Sequence, residues 1–304
     1  MTAHLPAPSS PGAPEPPRAT AARPAGRRVA AAAGRRTLPP WAVAALGVVS
    51  TVAVWWLGAA TVLRGVGAGD GAGSGAVPTP LAIVRQIASD GAGFYWTNAS
   101  VTVVEAAQGY LGGNALAVLL AAAALLLPFT ERLTTQIAVV SYCLPIVAVG
   151  PIIFIVVGPP RSGEPSGTAV ALAAISVFFT TYVSVLAGFR TAERSALDVV
   201  TVAGGSRWDQ LVRVQLVSAL PGVFSALRIA APAALLGAIL GEYVGGVDRG
   251  MGPAMVNAQQ SLEIARVWAV ALVSGGLAFL AYAVVGTVAR FVTPWSSGGR
   301  EVGH

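Results

Sequence analysis

Long apolar stretches with few charges dominate this sequence and limit what the chain can fold into. An α-helix needs about 20 consecutive apolar residues to cross the roughly 30 Å hydrocarbon core of a bilayer. Only 11% of the residues are charged, less than half of the roughly 25% that is usual in a soluble domain. We therefore predict an all-α integral membrane protein with about six transmembrane helices. The six stretches are residues 41–63, 98–127, 135–157, 168–189, 221–245 and 266–291.

Two of these stretches allow more than one interpretation. Residues 41–63 could be a cleaved signal peptide, but 23 apolar residues exceed the roughly 7–15 of a typical signal-peptide core. Since further apolar stretches follow, we interpret residues 41–63 as the first transmembrane helix. The third stretch is predicted to bend or break, because Pro145 and Pro151 each remove a donor from the helical hydrogen-bond ladder.

Polar segments complete the domain organisation. Residues 1–40 are rich in proline, alanine and arginine, which predicts a disordered basic tail. In the linker 64–97, Leu81, Val84, Ile87 and Ala88 share one helical face, which fits either a helix lying in the membrane surface or an ordinary loop helix. We assign the core to residues 98–292, with a long loop at 190–220, and a second short tail to residues 293–304.

The arginine distribution predicts the orientation of the chain. If the spans alternate, thirteen of the nineteen arginines lie on the side of the two tails and the loop 190–220, and five lie on the other side. The remaining one, Arg228, lies inside the fifth stretch. Basic residues are concentrated on the cytoplasmic side of membrane proteins. We therefore expect both termini and the loop 190–220 in the cytoplasm.

The inventory of reactive residues excludes several functions. The sequence contains no lysine, and a phosphate-binding Walker A loop requires one. Its two histidines, His4 and His304, lie at the extreme termini, and Cys143 is the only cysteine. A histidine-based catalytic triad and a Cys/His metal cluster are thereby excluded. We predict that the chain is not an enzyme, and that it carries no cofactor, binds no metal and binds no nucleic acid.

The loop 190–220 is the longest polar-bearing segment between two spans. We predict two short helices in it, the first over about 193–203, broken at Gly204-Gly205 because glycine readily ends a helix in the left-handed conformation. Ser206 is predicted to cap the second helix, with Asp209 as the acidic half of a capping box. The loop then closes at Pro221. Apolar side chains lie among its charges, namely Val199, Val202, Trp208 and Leu211, which indicates a protein partner.

These residues resemble the coupling loop of binding-protein-dependent ABC transporter permeases. Asp198-Val199-Val200 occupies the place of the family's Glu-Ala-Ala, with aspartate for glutamate, and Gly204 that of its glycine. Ala219-Leu220-Pro221 resembles an element that follows in the family, although Val217 stands where a first proline is usual. The resemblance extends over about residues 98–292, carried by Thr102, Gly109-Tyr110, Leu144-Pro145-Ile146, Pro151, Ala230-Ala231-Pro232, Glu242 and Gly250-Met251-Gly252.

The resemblance implies a type I importer permease of the subgroup that transports nitrate, sulfonates, taurine and thiamine precursors. It implies that the permease sits in the bacterial plasma membrane, in contact with lipids, paired with a second copy of itself. It also implies ATP-binding subunits, and an extracytoplasmic binding protein or lipoprotein that delivers the substrate. The residues carried over for coupling to the ATPase are Asp198, Val199, Val200, Gly204, Ser206, Trp208 and Pro221.

Three polar residues in the spans are candidates for the transport pathway. Glu105 and Gln108 are three residues apart, and we expect them to share a helical face. If Glu105 faces the pathway, it opposes an anionic substrate and favours a thiamine precursor; if not, it pairs with Arg85 or a neighbouring helix. Glu242 either lines the pathway, pairs with Arg249 or reaches the interface.

Small residues recur at every fourth position of the fifth stretch, and this spacing lets helices approach closely, within one chain or between two copies. They are Ala233, Gly237, Gly241 and Gly245.

Two other classes of protein compete with an importer permease. A secondary transporter driven by an ion gradient often contains inverted repeats with broken helices in matching halves, and no such repeat is evident. A membrane-bound enzyme is disfavoured by the inventory above.

Overall fold

The computed structural model describes residues 39–66, 75–161 and 164–295. Most of them are helical, and none of the described residues forms a strand. Most of both predicted tails, and part of the linker, lies outside the described residues. The chain divides into two compact units after Val49, inside the first helix, and the rest of the bundle belongs to the unit from Ser50 onward.

Ten α-helices and one π-helical turn make up the described chain. They are α1 (Pro40–Ala60), α2 (Pro80–Leu126), α3 (Pro128–Cys143), α4 (Ile146–Val157), α5 (Gly167–Phe189), α6 (Arg194–Val202), α7 (Arg207–Gln210), the π-helical turn Leu211–Gln215, α8 (Leu216–Val244), α9 (Met251–Gln260) and α10 (Ile264–Val292). Five helical runs are long and apolar enough to cross a membrane, and the pair α3–α4 makes a sixth if it is one bent span. The prediction of an all-α membrane fold with about six spans is confirmed.

The second span begins earlier than the sequence predicts. Helix α2 starts at Pro80, where the Thr79 side chain accepts a hydrogen bond from Ala82 N at 3.3 Å, so the linker and the span predicted from residue 98 form one element. A kink at Gly91 (φ +76°) separates its two parts. Of the apolar face predicted in the linker, Leu81 and Val84 are exposed, whereas Ile83, which lies outside that predicted face, is buried.

A charged network on α2 fixes the kink. The Asp90 carboxylate accepts hydrogen bonds from Gln86 Nε2 at 2.8 Å and from the Tyr95 hydroxyl at 2.9 Å. It also pairs with Arg266 of α10 at 2.7 Å, and the Asp90 side chain is almost fully buried. Buried ion pairs hold elements in register because a separated charge is costly. The segment before the kink is therefore tied to α10.

Proline has different effects in the third and fifth spans. Helices α3 and α4 meet at an angle of 103° at Leu144-Pro145, which confirms a break there, but Pro151 lies inside α4 without interrupting it. Likewise, Pro221 does not close the loop: it lies within α8, together with Pro232. The helical run extends without interruption from Arg207 to Val244, because the π-helical turn joins α7 to α8.

Helix α5 forms the centre of the bundle and contacts both α2 and α8 closely. Gly109 and Gly113 of α2 face its backbone on one side, and Gly237 and Gly241 of α8 face it on the other. Small residues at such crossings let the helix backbones approach closely. The glycine spacing in the fifth stretch therefore serves packing within this chain.

Hydrogen bonds between side chains reinforce this packing. Thr181 donates to Asn114 Oδ1 at 2.6 Å and joins α5 to α2. The Tyr182 hydroxyl lies 2.8 Å from Thr134 Oγ1, which joins α5 to α3. The Tyr110 hydroxyl donates to the carbonyl of Leu227 at 3.1 Å and joins α2 to α8. Each of these polar groups is satisfied inside the bundle, as an apolar surrounding requires.

Candidate functional site

The loop 190–220 contains the predicted helix break. Helix α6 ends at Val202, and Gly204 follows with φ +79°, a conformation that glycine adopts without strain. Gly205 N donates to the Val200 carbonyl at 2.8 Å and Gly204 N to the Thr201 carbonyl at 2.9 Å. These bonds satisfy the last carbonyls of α6, so the turn has the geometry that the Gly-Gly pair predicts.

Ser206 and Asp209 form the predicted capping box at the start of α7. Asp209 N donates to the Ser206 hydroxyl oxygen at 3.3 Å, and Ser206 N donates to Asp209 Oδ2 at 2.9 Å. Arg213, one turn further on, approaches Asp209 to 3.3 Å. The capping box thereby satisfies the backbone N–H groups of Ser206 and Asp209 at the start of the helix.

One residue that sequence reasoning missed connects the two helices of the loop. Gln210 Nε2 donates to Thr201 Oγ1 at 2.8 Å and to the Leu197 carbonyl at 3.3 Å. Helix α6 is thereby hydrogen-bonded to α7. The sequence alone does not indicate this role of Gln210, because both of its acceptors lie on the other side of the turn.

An exposed apolar surface covers the outside of this pair of helices. Val199 is 69% exposed, Val202 89% and Trp208 61%. Asp198 lies beside them and is also exposed. Leu211, which the sequence places on the same surface, is instead buried near Phe189 and Ala219 in the core. Exposed apolar side chains among the charged residues of a loop favour a protein contact.

Removing the cap is expected to loosen this loop without unfolding the bundle. Ser206→Ala leaves Asp209 N without its acceptor, and loss of an N-cap costs about 1 kcal/mol locally. Amide hydrogen exchange of residues 206–210 should become roughly fivefold faster, since 1 kcal/mol corresponds to that factor. Exchange in α5 should not change. Ser195→Ala, on α6, is the matched control, because the Ser195 hydroxyl contacts only the exposed Glu193 side chain.

A buried polar cluster lies at the other end of α8, where the chain turns into α9. Glu242 Oε1 accepts a hydrogen bond from the Thr102 hydroxyl at 2.5 Å, and its Oε2 accepts one from Gly252 N at 2.7 Å. Met251 N donates to Thr102 Oγ1 at 2.9 Å. The first residues of α9 therefore lie around the Glu242 carboxyl group. A side chain at Gly250 would collide with that group.

Glu105 belongs to the same cluster. It is fully buried, and its Oε1 accepts a hydrogen bond from Ser166 N at 2.6 Å. It does not pair with Arg85, and Glu242 does not pair with Arg249 in the described part of the chain. The buried Glu105 lines neither of the two cavities described below.

Gln108 lies apart from Glu105. Its side chain is exposed, and it lines a cavity of about 530 Å³ with Gly109, Gly112 and Glu164. The prediction that Glu105 and Gln108 share a face is wrong, because α2 presents Glu105 to the bundle and Gln108 to the surface.

A larger cavity of about 670 Å³ opens beside the buried cluster. Its charged lining comes from the segment that precedes α5 and the segment that precedes α9. Both signs of charge are present, and Ser100 adds a hydroxyl. A polar small molecule with donors and acceptors fits such a lining better than an apolar one. The charged residues are Arg161, Glu164, Asp248 and Arg249.

Comparison with known proteins places this arrangement among transport proteins. Residues 113–294 match the family model of the binding-protein-dependent transport system inner membrane component. The chain is 26% identical over 208 residues to a probable ABC transporter permease protein of Haemophilus influenzae, covering 67% of this chain and 81% of that protein.

Three relatives carry substrate names, one of them the putative aliphatic sulfonates transport permease protein SsuC of Bacillus subtilis, to which the chain is 23% identical over 222 residues, covering 72% of this chain and 78% of SsuC. The chain is 27% identical over 168 residues to the riboflavin transport system permease protein RibX of Chloroflexus aurantiacus, covering 55% of this chain and 60% of RibX. It is 23% identical over 219 residues to the formylaminopyrimidine transport permease protein ThiX of Halalkalibacterium halodurans, covering 72% of this chain and 85% of ThiX.

Proposed function

This chain belongs to the family of binding-protein-dependent transport system inner membrane components, and from this premise we propose that it carries a small nitrogen heterocycle into the cell with ATP hydrolysed by partner subunits. It is a multi-pass membrane protein and the permease subunit of an importer for small nutrients. The family match supports the assignment as an importer permease. It includes the whole loop 190–220, Glu242 and the start of α9.

The substrate class rests on the relatives. RibX is named for riboflavin and ThiX for formylaminopyrimidine, and both compounds contain a flat nitrogen heterocycle, whereas SsuC is named for aliphatic sulfonates. The cavity of about 670 Å³, with lining charges of both signs, supports a polar neutral molecule of this kind. Nitrate, sulfonates and taurine remain the competing substrates of the subgroup.

ATP-binding subunits are proposed to dock on the exposed apolar surface of the loop, formed by Val199, Val202 and Trp208. This end of the bundle is then cytoplasmic, as the arginine distribution predicts. A binding protein delivers the substrate at the opposite end, beside α9. The proposed transporter contains two copies of this chain, because each of its two ATP-binding subunits docks on one loop 190–220.

The helical run from Arg207 to Val244 supplies a route for coupling. It begins at the Ser206-capped turn, where the ATP-binding subunit is proposed to dock, and it ends next to Glu242. Its 38 residues would span about 57 Å if straight. We propose that a displacement of the loop is transmitted along this run to its far end. ATP and substrate must favour different states for this movement to drive transport.

Uptake into proteoliposomes tests this proposal. The permease, its ATP-binding subunits and its binding protein are reconstituted with ATP enclosed, and radiolabelled riboflavin, formylaminopyrimidine and taurine are offered separately. We expect ATP-dependent uptake of a heterocycle that persists when ionophores collapse the ion gradients. Uptake that needs the gradient and not ATP would instead establish a secondary transporter. ATP-dependent uptake of taurine alone would overturn the substrate class and leave the transport mechanism in place.

A further inference from the structure

Arg228 lies near the middle of α8 and lacks a counter-ion among the described residues. Its guanidinium lies over the ring of Tyr282 on α10, with Cζ 4.0 Å from the ring centroid. Its Nε is buried without a hydrogen-bond acceptor in the described part of the chain. A charge inside a span is costly, and such residues usually pair with an opposite charge or face water. The packing of α8 on α10 therefore leaves the charge of Arg228 unneutralised.

Helix α10 leaves space for this guanidinium at Gly286. A Cβ atom at Gly286 would lie 2.8 Å from Arg228 Nε and 3.0 Å from Arg228 Cζ. The guanidinium therefore lies against α10 at both Tyr282 and Gly286. Its two terminal nitrogens, by contrast, are not buried. The packing positions the guanidinium and leaves their N–H donors available to a molecule outside the helix pair.

A second copy of the chain does not supply the missing carboxylate from its described spans. The acidic residues of the candidate spans are each buried or ion-paired within their own chain. They are Asp90, Glu105, Glu131, Asp209 and Glu242. The other described acidic residues lie in the segments between the spans. The described spans thus offer Arg228 no free opposite charge in either copy.

Lipid is a poor environment for this residue. The hydrocarbon of a bilayer contains no hydrogen-bond acceptor, so charged side chains in spans almost always face the bundle interior or a water-filled cavity. An arginine can extend toward the membrane surface. The contact with Tyr282, however, keeps the guanidinium beside α10, ten residues before that helix ends. A water-filled groove between α8 and α10 satisfies Arg228, and a lipid-filled one does not.

We propose that Arg228 lines the transport pathway and donates hydrogen bonds to an acceptor oxygen of the transported molecule. A guanidinium presents a planar fork of N–H donors, which suits carbonyl groups and oxyanions. Tyr282 and Gly286 hold this fork in place, so it meets the molecule in one orientation. The formyl oxygen of formylaminopyrimidine and the oxygens of a sulfonate both belong to this class of acceptor. This role, which rests on the proposed transport function, gives the pathway a residue that recognises the substrate.

Thiol labelling of the full-length permease in lipid nanodiscs tests whether Arg228 meets water. Cys143 is the only cysteine, so Cys143→Ser provides a background without thiols for single cysteine substitutions. We expect a charged, membrane-impermeant methanethiosulfonate to label Arg228→Cys and not Val284→Cys. Val284 is the matched control, because it is exposed on α10 and lies two residues, or about 200° around the helix, from Tyr282. Equal labelling of the two positions overturns the proposal.

Uptake by the reconstituted transporter tests the contact with the transported molecule. Arg228→Met keeps an apolar stem and removes the donors, and we expect the maximal rate of ATP-driven uptake to fall about tenfold, the typical effect of losing a hydrogen bond to a charged group. Arg228→Lys keeps the charge and should restore part of the rate. Arg290→Met, at an exposed arginine of α10, is the matched control and should transport like the wild-type protein. Wild-type uptake by Arg228→Met overturns the proposal.

Two further measurements separate this role from its alternatives. The melting temperature of Arg228→Met should not fall, because the substitution removes an unneutralised charge from the span; a clear decrease identifies a structural role on Tyr282 and overturns the proposal. Wild-type uptake that collapses in vesicles of phosphatidylcholine and recovers with phosphatidylglycerol identifies a lipid phosphate as the acceptor, which also overturns it. The thiol labelling needs no substrate or ATP-binding subunit, so its outcome is independent of whether the proposed transport function holds.

Discussion

Gly241→Leu is expected to prevent the permease from folding, because this residue lies where α8 crosses α5. A Cβ atom at Gly241 would lie 2.8 Å from Ala169 N and 3.0 Å from the carbonyl oxygen of Thr168. Both are backbone atoms, so the helices would have to separate. Overpacking a core with side-chain adjustment costs about 1–3 kcal/mol, and here no side chain can adjust. We expect the loss of a monodisperse peak in size-exclusion chromatography of detergent-solubilised membranes.

Gly222→Leu is the matched control on the same helix. Nothing outside the helix lies within 4 Å of a Cβ built at Gly222, so leucine there should leave both the peak and the melting temperature within a few degrees of wild type. If Gly241→Leu melts like the wild-type protein, then α8 does not cross α5 at this residue. A milder Gly241→Ala change should fold with a lowered melting temperature, since a methyl group alone already meets the α5 backbone.

Trp208→Asp is expected to abolish ATP-driven uptake while the permease stays folded. The Trp208 side chain is 61% exposed and lies in the capped turn, so the substitution removes apolar contact area without opening the core. Tryptophans at the centre of an interface commonly contribute about 2–4 kcal/mol. This corresponds to roughly 30- to 1,000-fold in Kd. Co-purification of the ATP-binding subunit with tagged permease measures this loss.

Two further variants make the coupling test specific. Trp295→Asp changes another exposed tryptophan that lies outside the loop, and it should leave ATPase co-purification intact. Gly204→Val should reduce co-purification because valine is strained at φ +79°. Gly204→Asn should reduce it less, since asparagine tolerates that conformation better. Full co-purification with both Trp208→Asp and Gly204→Val would place the docking surface elsewhere, with the fold unaffected.

The loop 190–220 illustrates how far local chemistry carries a prediction. The glycine break and the Ser206–Asp209 box depend on residues within a few positions of one another, and the structure has both. The second helix was expected to be short and to end before Pro221, but it continues through a π-helical turn into the fifth span. A proline removes one donor and strains one turn, and a long, well-packed apolar helix tolerates this loss. Leu211 was misplaced because burial depends on α5, which is distant in sequence.

The pathway candidates illustrate the opposite case. Glu105 and Gln108 were assigned one face from their spacing alone. Helical spacing gives only the angle between two side chains, and it does not state which side of the helix meets the bundle. Glu105 is buried and accepts a hydrogen bond from Ser166 N, while Gln108 stays exposed. The sequence shows that Glu242 is an acidic residue within a span, where a charge is costly. Its hydrogen-bond partners Thr102 and Gly252 are known only from the tertiary structure.

The apolar stretches by themselves determined that this chain is a helical membrane protein, because a bilayer admits helices whose backbone groups are satisfied within one segment. The same local logic determined the turn at Gly204 and the cap at Ser206. Only the tertiary structure decided that α5 lies against both α2 and α8. It also decided that Glu105 and Glu242 meet in one buried cluster. The reason is physical: hydrogen bonds within a helix join neighbours in sequence, whereas the packing of helices joins residues more than a hundred positions apart.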